Sequence, residues 1–448
     1  GLSGLTAASL LAKRGLSVAV CEQASKPGGS CGIFKRQIDG KPVVFDQGSS
    51  MLFGFGENGF NAHRFLFNCL EEPFYVLRHE YLYALNYDGD RILFPGNIDD
   101  FIKELSGIFP GQSSNIARFY HDMTDLYNKV ISGSPSYTTP DETDPVTGIR
   151  NILRHPIAYL KFLSYLNISA DKLLRKYFND EAILSFFDKL TSTYCYATLK
   201  EAPAILASVM FVDNHLGGSW YPAGSTLFLP GILEKVIEEN GGHMYYDTMV
   251  NEIMLKPNGV ILSNGDRCFA DNVIYSGTVW DLYGKLLPDN VITDEMINWI
   301  DSQEPTYSSL ALYAVVDRDA IPDDTCAIEM LASSPGTIDE NEVTVYIPSI
   351  DDLTLCDKDH HVMIAIGPSF IDWGNKEGKY SEEIYQKQKS EETERIVVLI
   401  NKRFPGIEEH IKYSELATPL TIERYTMKMN GAAAGPKQML GQHMLKRQ

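Results

Sequence analysis

The sequence has no CxxC pair, no HExxH helix and no ordered Ser, His and Asp of the hydrolase kind. Its seven cysteines (Cys21, Cys31, Cys69, Cys195, Cys268, Cys326 and Cys356) are scattered and odd in number. That pattern excludes a disulfide framework and a zinc site, and it fits a reducing compartment. The longest apolar stretches, such as residues 202–212, are too short to span a bilayer. Lysine and arginine total 39 against 59 acids, a formal net charge of −20 with no long basic run, which excludes a nucleic-acid partner and favours a small molecule. There is no internal repeat and no long low-complexity tract. No metal site is expected, and no acidic pair demands a catalytic role. His243, His360 and His361 read as solvated or core histidines, so the catalytic residues stay unassigned.

Also missing is a strand ahead of the first turn. The chain opens "GLSGLTAASLLAKRGLSVAVCEQ", a glycine turn already entering a helix, followed by a Gly15 stop and an apolar strand ending at Glu22. In a dinucleotide fold, G-x-G-x-x-G lies between a strand and a helix, and backbone N–H groups with the helix N-terminus hold the pyrophosphate. Read this way, Gly1 lets the backbone approach the phosphates and Gly4 lets the helix pack closely. Glu22 follows Gly4 by 18 residues, near the spacing of about 20 expected for an acid that binds ribose hydroxyls. The alternative is an ordinary helix start with a surface acid. On the first reading the chain begins inside the motif and is an incomplete gene product.

With 448 residues and 44% apolar content, the chain can build a large core. "SKPGGSCGIF" is a turn whose Gly28-Gly29 pair can bring backbone close to a ligand, and an alternating strand follows around "VVFDQGSS". From about residue 61 to 207 the pattern is mainly helical, interrupted by the loop "SGSPSYTTPDETDP". "GGSWYPAGSTLFLPGILEKVIEENGG" then gives a glycine-rich turn and an amphipathic helix, and "NGVILSNGDRCF" a hairpin. Strands such as "SLALYAVV" and "HVMIAIGPSF" alternate further on with one charged helix.

Together, "GLSG", "CEQASKPGGSCGIF", "FDQGSSML", "GGSWYPAGSTLFLPGILEKVIEENGG" and "ATPLTIERYTMKMNGAAAG" resemble the flavin-binding signature of the phytoene desaturase superfamily, which includes carotenoid desaturases, carotenoid isomerases and retinol saturases. The resemblance implies an α/β fold: a Rossmann-like FAD-binding domain of the amine-oxidase kind over residues 1–75 and 215–280. An inserted α+β substrate domain with a helical lid would cover 76–214 and 281–430. It implies FAD, with Gly1 and Gly4 at the pyrophosphate, Glu22 on the adenosine ribose, and Gly28, Gly29 and Ser30 beside the diphosphate and ribityl chain. Val250 would meet the adenine, and Asp46, Gly48 and Ser49 would approach the flavin ring. Tyr221, Gly224 and Ser225 are candidates for the substrate cavity, with Ser225 standing where relatives have glycine. The chain stops at "MLGQHMLKRQ", short of the family's last strand and turn, so truncation at both ends is expected.

The implied activity is FAD-dependent oxidoreduction of C–C or C=C bonds in a long apolar polyene or isoprenoid, as desaturase, saturase or isomerase, by hydride transfer at flavin N5. The alternatives are an amine oxidase or protoporphyrinogen oxidase type, and a binding module for prenylated partners like the GDP dissociation inhibitors, without flavin. Residues 150–178 carry six Lys/Arg against one acid, Asp171, interleaved with Tyr, Phe and Leu. Such a segment suits either peripheral membrane contact by an otherwise cytoplasmic protein or helices that merely cap the substrate domain.

Overall fold

The structure is a computed structural model that describes residues 1–48, 50–133, 135–138, 142–332, 335–374 and 381–443. Ser49 lies outside the described residues.

The first helix, Leu2–Lys13, ends before Gly15, whose φ of 84° is the left-handed turn that a side chain would strain. The chain returns as strand Ala19–Cys21, which pairs in parallel with His243–Tyr245. Parallel pairing needs a crossover, and here it runs through residues 22–242, about half of the chain. Leu5 and Ala8 of the first helix, Leu66 and Leu70 of helix Ala62–Leu70, and Leu233, Val236 and Ile237 of helix Phe228–Glu239 form one apolar cluster over this pair. This is the Rossmann-like α/β layer. Beside it, Val250–Leu255, Asn258–Leu262 and Arg267–Phe269 form an antiparallel meander.

The larger sheet has seven strands in the order Ile411–Ala417, Ser308–Asp317, His360–Ser369, Glu342–Tyr346, Ile328–Ala332, Tyr81–Tyr87, Asp90–Pro95. Only the Ile328–Ala332 and Tyr81–Tyr87 pair is parallel. Strand alternation assigns its faces: Ala311, Tyr313 and Val315 enter the large core shared with the helices of residues 98–217. Leu310, Leu312, Ala314 and Val316 point the other way, toward Ile396, Leu399 and Ile400 of helix Glu382–Asn401. A sheet covered on both faces explains why Ser308–Asp317 reads as a nearly continuous apolar run.

The block from residue 61 to 207 is less uniformly helical than its composition suggests. Tyr81–Tyr87 and Asp90–Pro95 form a hairpin within it, and Val76–Arg78 pairs with Trp220–Pro222. The signal was present in the sequence as Asp88-Gly89, with positive φ at both residues, between two alternating stretches.

Candidate functional site

The glycine turns meet at the N-terminus of the first helix. Helix Leu2–Lys13 has no side-chain cap, so its first N–H groups are left for another acceptor. A Cβ on Gly1 would meet nothing within 4 Å, whereas one on Gly29 would lie 3.1 Å from the Gly1 Cα. Gly28 and Gly29 have φ of 120° and 57°, so this second turn lies backbone-on-backbone against the first, with open space in front. On the helix side, a Cβ on Gly4 would be 2.5 Å from Ser276 Oγ, and this close fit holds the helix against the returning segment.

Glu22 ends strand Ala19–Cys21 and lies beside the same turn. Its Oε2 is 3.5 Å from the Gly1 nitrogen, and its Oε1 accepts from the Ala24 N–H at 3.0 Å. The Glu22 carbonyl accepts from Thr248 N–H at 2.9 Å, which brings the chain entering Val250–Leu255, and hence half-buried Val250, alongside. Ser30 is exposed in the turn Gly29–Cys31, and a Cβ on Gly48 would lie 3.0 Å from its carbonyl oxygen. Gly1, Gly4, Glu22, Gly28, Gly29, Ser30, Gly48 and Val250 thus form one neighbourhood drawn from the first 48 residues and the middle of the chain.

Asp46 closes strand Lys41–Asp46 and is buried, and its carboxylate organises the second half of the site. Oδ2 accepts from Ser50 Oγ at 2.7 Å and from the Tyr221 hydroxyl at 2.9 Å. Oδ1 accepts from the Thr226 N–H at 2.9 Å and the Thr226 hydroxyl at 2.8 Å. Four donors use the carboxylate's acceptor capacity, so Asp46 acts as an anchor. Burial, and next the Asp46 charge, push the Tyr221 phenol well above its ordinary pKa, so it stays protonated as a donor. Burial is also the first reason that the Cys31 thiol is pushed up to about 12, with the Asp46 charge second.

Gly224 and Ser225 form the turn between Tyr221 and Thr226. The Gly224 N–H donates to Asp352 Oδ2 at 2.5 Å, and Asp352 Oδ1 accepts from the N–H and hydroxyl of Thr354. Two buried carboxylates therefore hold the turn, Asp46 from the Rossmann-like side and Asp352 from the seven-stranded sheet side. Ser225 is buried with φ of 138°, a conformation that favours glycine. Tyr313 donates from its hydroxyl to the Gln47 carbonyl at 2.7 Å, joining the sheet to the chain just after Asp46. Sequence reasoning missed Ser50, Thr226 and Asp352. Ser50 and Thr226 stand inside the motifs "FDQGSSML" and "GGSWYPAGSTLFLPGILEKVIEENGG", where the glycines and Tyr221 drew the assignment, but nothing in spacing marks Asp352.

His360 and His361 are engaged elsewhere. His360 Nδ1 lies 2.8 Å from Asp357, and His361 lies between Ser349 and Arg318.

Residues 1–68 match the NAD(P)-binding Rossmann-like domain family. Over an alignment of 462 residues, the chain is 31% identical to prolycopene isomerase 2, chloroplastic, of an Oncidium hybrid cultivar, covering 98% of this chain and 76% of that protein. The chain belongs to the carotenoid isomerase and desaturase superfamily. A second member, 4,4'-diapolycopen-4-al dehydrogenase of Metabacillus indicus, is 23% identical over 94% of this chain and 82% of its own length. Among solved structures, a putrescine oxidase studied for cofactor binding superposes with a TM-score of 0.64 at 17% identity, covering 100% of this chain and 87% of that one. At that identity the likeness carries the fold alone. The superfamily member described here is accordingly an oxidoreductase with a Rossmann-like dinucleotide domain. Among the described residues, no helix is long and apolar enough to cross a membrane.

Proposed function

We propose that this protein binds FAD and uses it to desaturate, saturate or isomerise a long apolar polyene. The observation that carries the reading is the 31% identity to a prolycopene isomerase across 98% of the chain. The residues fit the cofactor. The uncapped helix N-terminus and the left-handed Gly28-Gly29 turn packed against the Gly1 backbone make a cradle for a diphosphate that side chains would fill. Glu22, at the strand end beside that cradle, suits ribose hydroxyls. Bound there, the flavin would supply two-electron hydride chemistry at N5.

The chain's own part is to bind and align. The Asp46, Tyr221 and Thr226 hydrogen bonds fix the turn 222–226 against the strand carrying Asp46. Tyr221 is fully buried and its hydroxyl is committed to Asp46, so its role is to position this wall of the substrate cavity together with Gly224 and Ser225. Asp46 and Gly48 would approach the ring system from that wall, and Val250 the adenine end. The same site supports the division into a FAD domain over 1–75 and 215–280 and a substrate domain over 76–214 and 281–430. An amine-oxidase reading rests on structures 17% identical, and no observation favours a flavin-free prenyl-binding module.

A lipophilic substrate must be delivered from a bilayer, and the segment 150–178 is the proposed contact. Leu153, Ile157 and Leu160, on helices Pro145–Arg154 and Pro156–Leu163, are 73%, 82% and 68% exposed. In the next helix, Ala170–Leu174, Ala170, Leu173 and Leu174 face the core. Arg175 there is occupied by Asp171 and Glu181. The contact therefore narrows to the first two helices, with apolar insertion as its main term.

The protein purified from its whole gene should be yellow with flavin absorbance, and incubation with prolycopene, phytoene and retinol under oxidising and reducing conditions should change one of them. A flavin-bearing protein that leaves all three untouched but oxidises polyamines would overturn the substrate class.

A further inference from the structure

Apart from the glycine turns and the Asp46 cluster, a cavity of about 870 Å³ opens between the loop 56–61, helix Ala62–Leu70 and helix Ser113–Tyr127. Its wall is polar where neighbouring helix faces are apolar. Asn61, the N-cap of helix Ala62–Leu70, lies in line with Arg64 and Asn68 on that helix, and Thr124 projects from helix Ser113–Tyr127. Asn61 is 6% exposed; its Nδ2 donates to the Asn58 carbonyl, but its Oδ1 has no hydrogen-bond partner. Arg64 Nε and Thr124 Oγ1 are buried and unpartnered on the same wall. Buried polar atoms are nearly always satisfied, and three exceptions gathered around one cavity call for a common ligand.

The loop is held in place without that ligand. The Phe60 N–H donates to the Tyr127 hydroxyl at 2.7 Å, and a Cβ on Gly56 would run into the Gly217 carbonyl. The charged groups on the wall already face partners: Arg64 Nη2 is 3.5 Å from Glu57, and Asp99 lies 3.1 Å from His121 Nε2. At the edge, the Phe65 and Tyr137 rings stack at 3.9 Å and remain partly exposed.

We propose that this cavity binds a neutral polyhydroxyl group of the sugar type. A hydroxyl both donates and accepts, so adjacent hydroxyls can satisfy an amide oxygen, an N–H and a threonine hydroxyl together. An anion would meet Glu57 and Asp99, and a cation would meet Arg64. The C–H face of a sugar ring suits the exposed Phe65 ring. A free sugar and a glycolipid headgroup share this chemistry.

The full chain is titrated calorimetrically with methyl β-galactoside. In a parallel arm it is floated with phosphatidylcholine vesicles made with or without galactosyl diacylglycerol. Saturable binding of the free glycoside, or flotation that increases with the galactolipid, supports the site and tells the two sources apart. Thr124→Val keeps the side-chain shape and Phe65→Ala changes a half-exposed residue, so both should fold; each is expected to weaken binding about tenfold. Inorganic phosphate should not compete with the glycoside, wherever else on the chain it binds. Binding in neither arm, binding untouched by both variants, or displacement of the glycoside by phosphate would each overturn the proposal. None of these readouts depends on flavin content or polyene turnover, so the site stands or falls apart from the proposed function.

Discussion

Asp46 and Tyr221, 175 residues apart in the chain, meet at 2.9 Å in the interior. This bond ties the strand after the second glycine turn to the turn that precedes helix Phe228–Glu239. Replacing Tyr221 by Phe keeps the ring but removes one of four donors to a buried carboxylate. A hydrogen bond to a charged group contributes about 1.5–3 kcal/mol, so Tyr221→Phe should lower unfolding stability by that order in urea denaturation. An unchanged midpoint would mean that Ser50 and Thr226 suffice.

Ser225 holds φ of 138° in a turn fixed by two carboxylates. Backbone strain of this kind costs of order 1–3 kcal/mol. Ser225→Gly should therefore raise the thermal midpoint. A lowered midpoint would show that the serine side chain contributes more than its backbone costs.

The glycine turn, Glu22, Asp46 and the turn 221–225 were legible in the sequence because each is local, a short run of residues whose types answer to backbone geometry or charge. What joins them was not. Asp352 reaches Gly224 across 128 residues, and Thr226 reaches Asp46 across 180; no periodicity encodes such pairings. The hairpin Tyr81–Tyr87 to Asp90–Pro95 was local too, but its aromatic and leucine content also suits a helix, and its neighbours are helical. The membrane-contact segment 150–178 was legible from its basic and apolar residues, but not which of its helices stay uncovered, since a stripe at helical spacing reads equally as core until a fold leaves it exposed.

His215 is buried, donates through Nδ1 to the Pro95 carbonyl at 2.7 Å, and stacks on Phe101. Desolvation lowers its pKa from 6.5 to about 4. An unfolded chain binds this proton at pH values where the folded one does not, so stability falls as pH drops from about 6.5 toward 4. The loss should reach roughly 3 kcal/mol from this group. His215→Phe should flatten the slope of stability against pH over that window; an unchanged slope would assign it to other groups.

Glu22 tests the cofactor proposal at a single side chain. Glu22→Gln keeps the shape and the bond to Ala24 but offers ribose hydroxyls a neutral acceptor. Flavin affinity should fall about tenfold or more, measured by fluorescence during dialysis against apoprotein. Equal affinity would remove Glu22 from the ribose site.

The helix pair of residues 145–163 makes the last prediction. Seven aliphatic side chains there, from Val146 to Leu163, are 40% or more exposed, an unusual density for a surface that only water touches. Apolar insertion predicts vesicle flotation that survives moderate salt, because the hydrophobic term is not screened. Leu153→Asp with Ile157→Asp should abolish flotation while leaving the thermal midpoint unchanged, since both side chains already face solvent. Charge reversal at Arg150 and Lys161 should weaken binding to anionic vesicles only, and modestly, because Lys161 lies 3.8 Å from Asp122. If the aspartate pair floats as well as the parent chain, these helices are a solvent-facing cap and the substrate enters elsewhere.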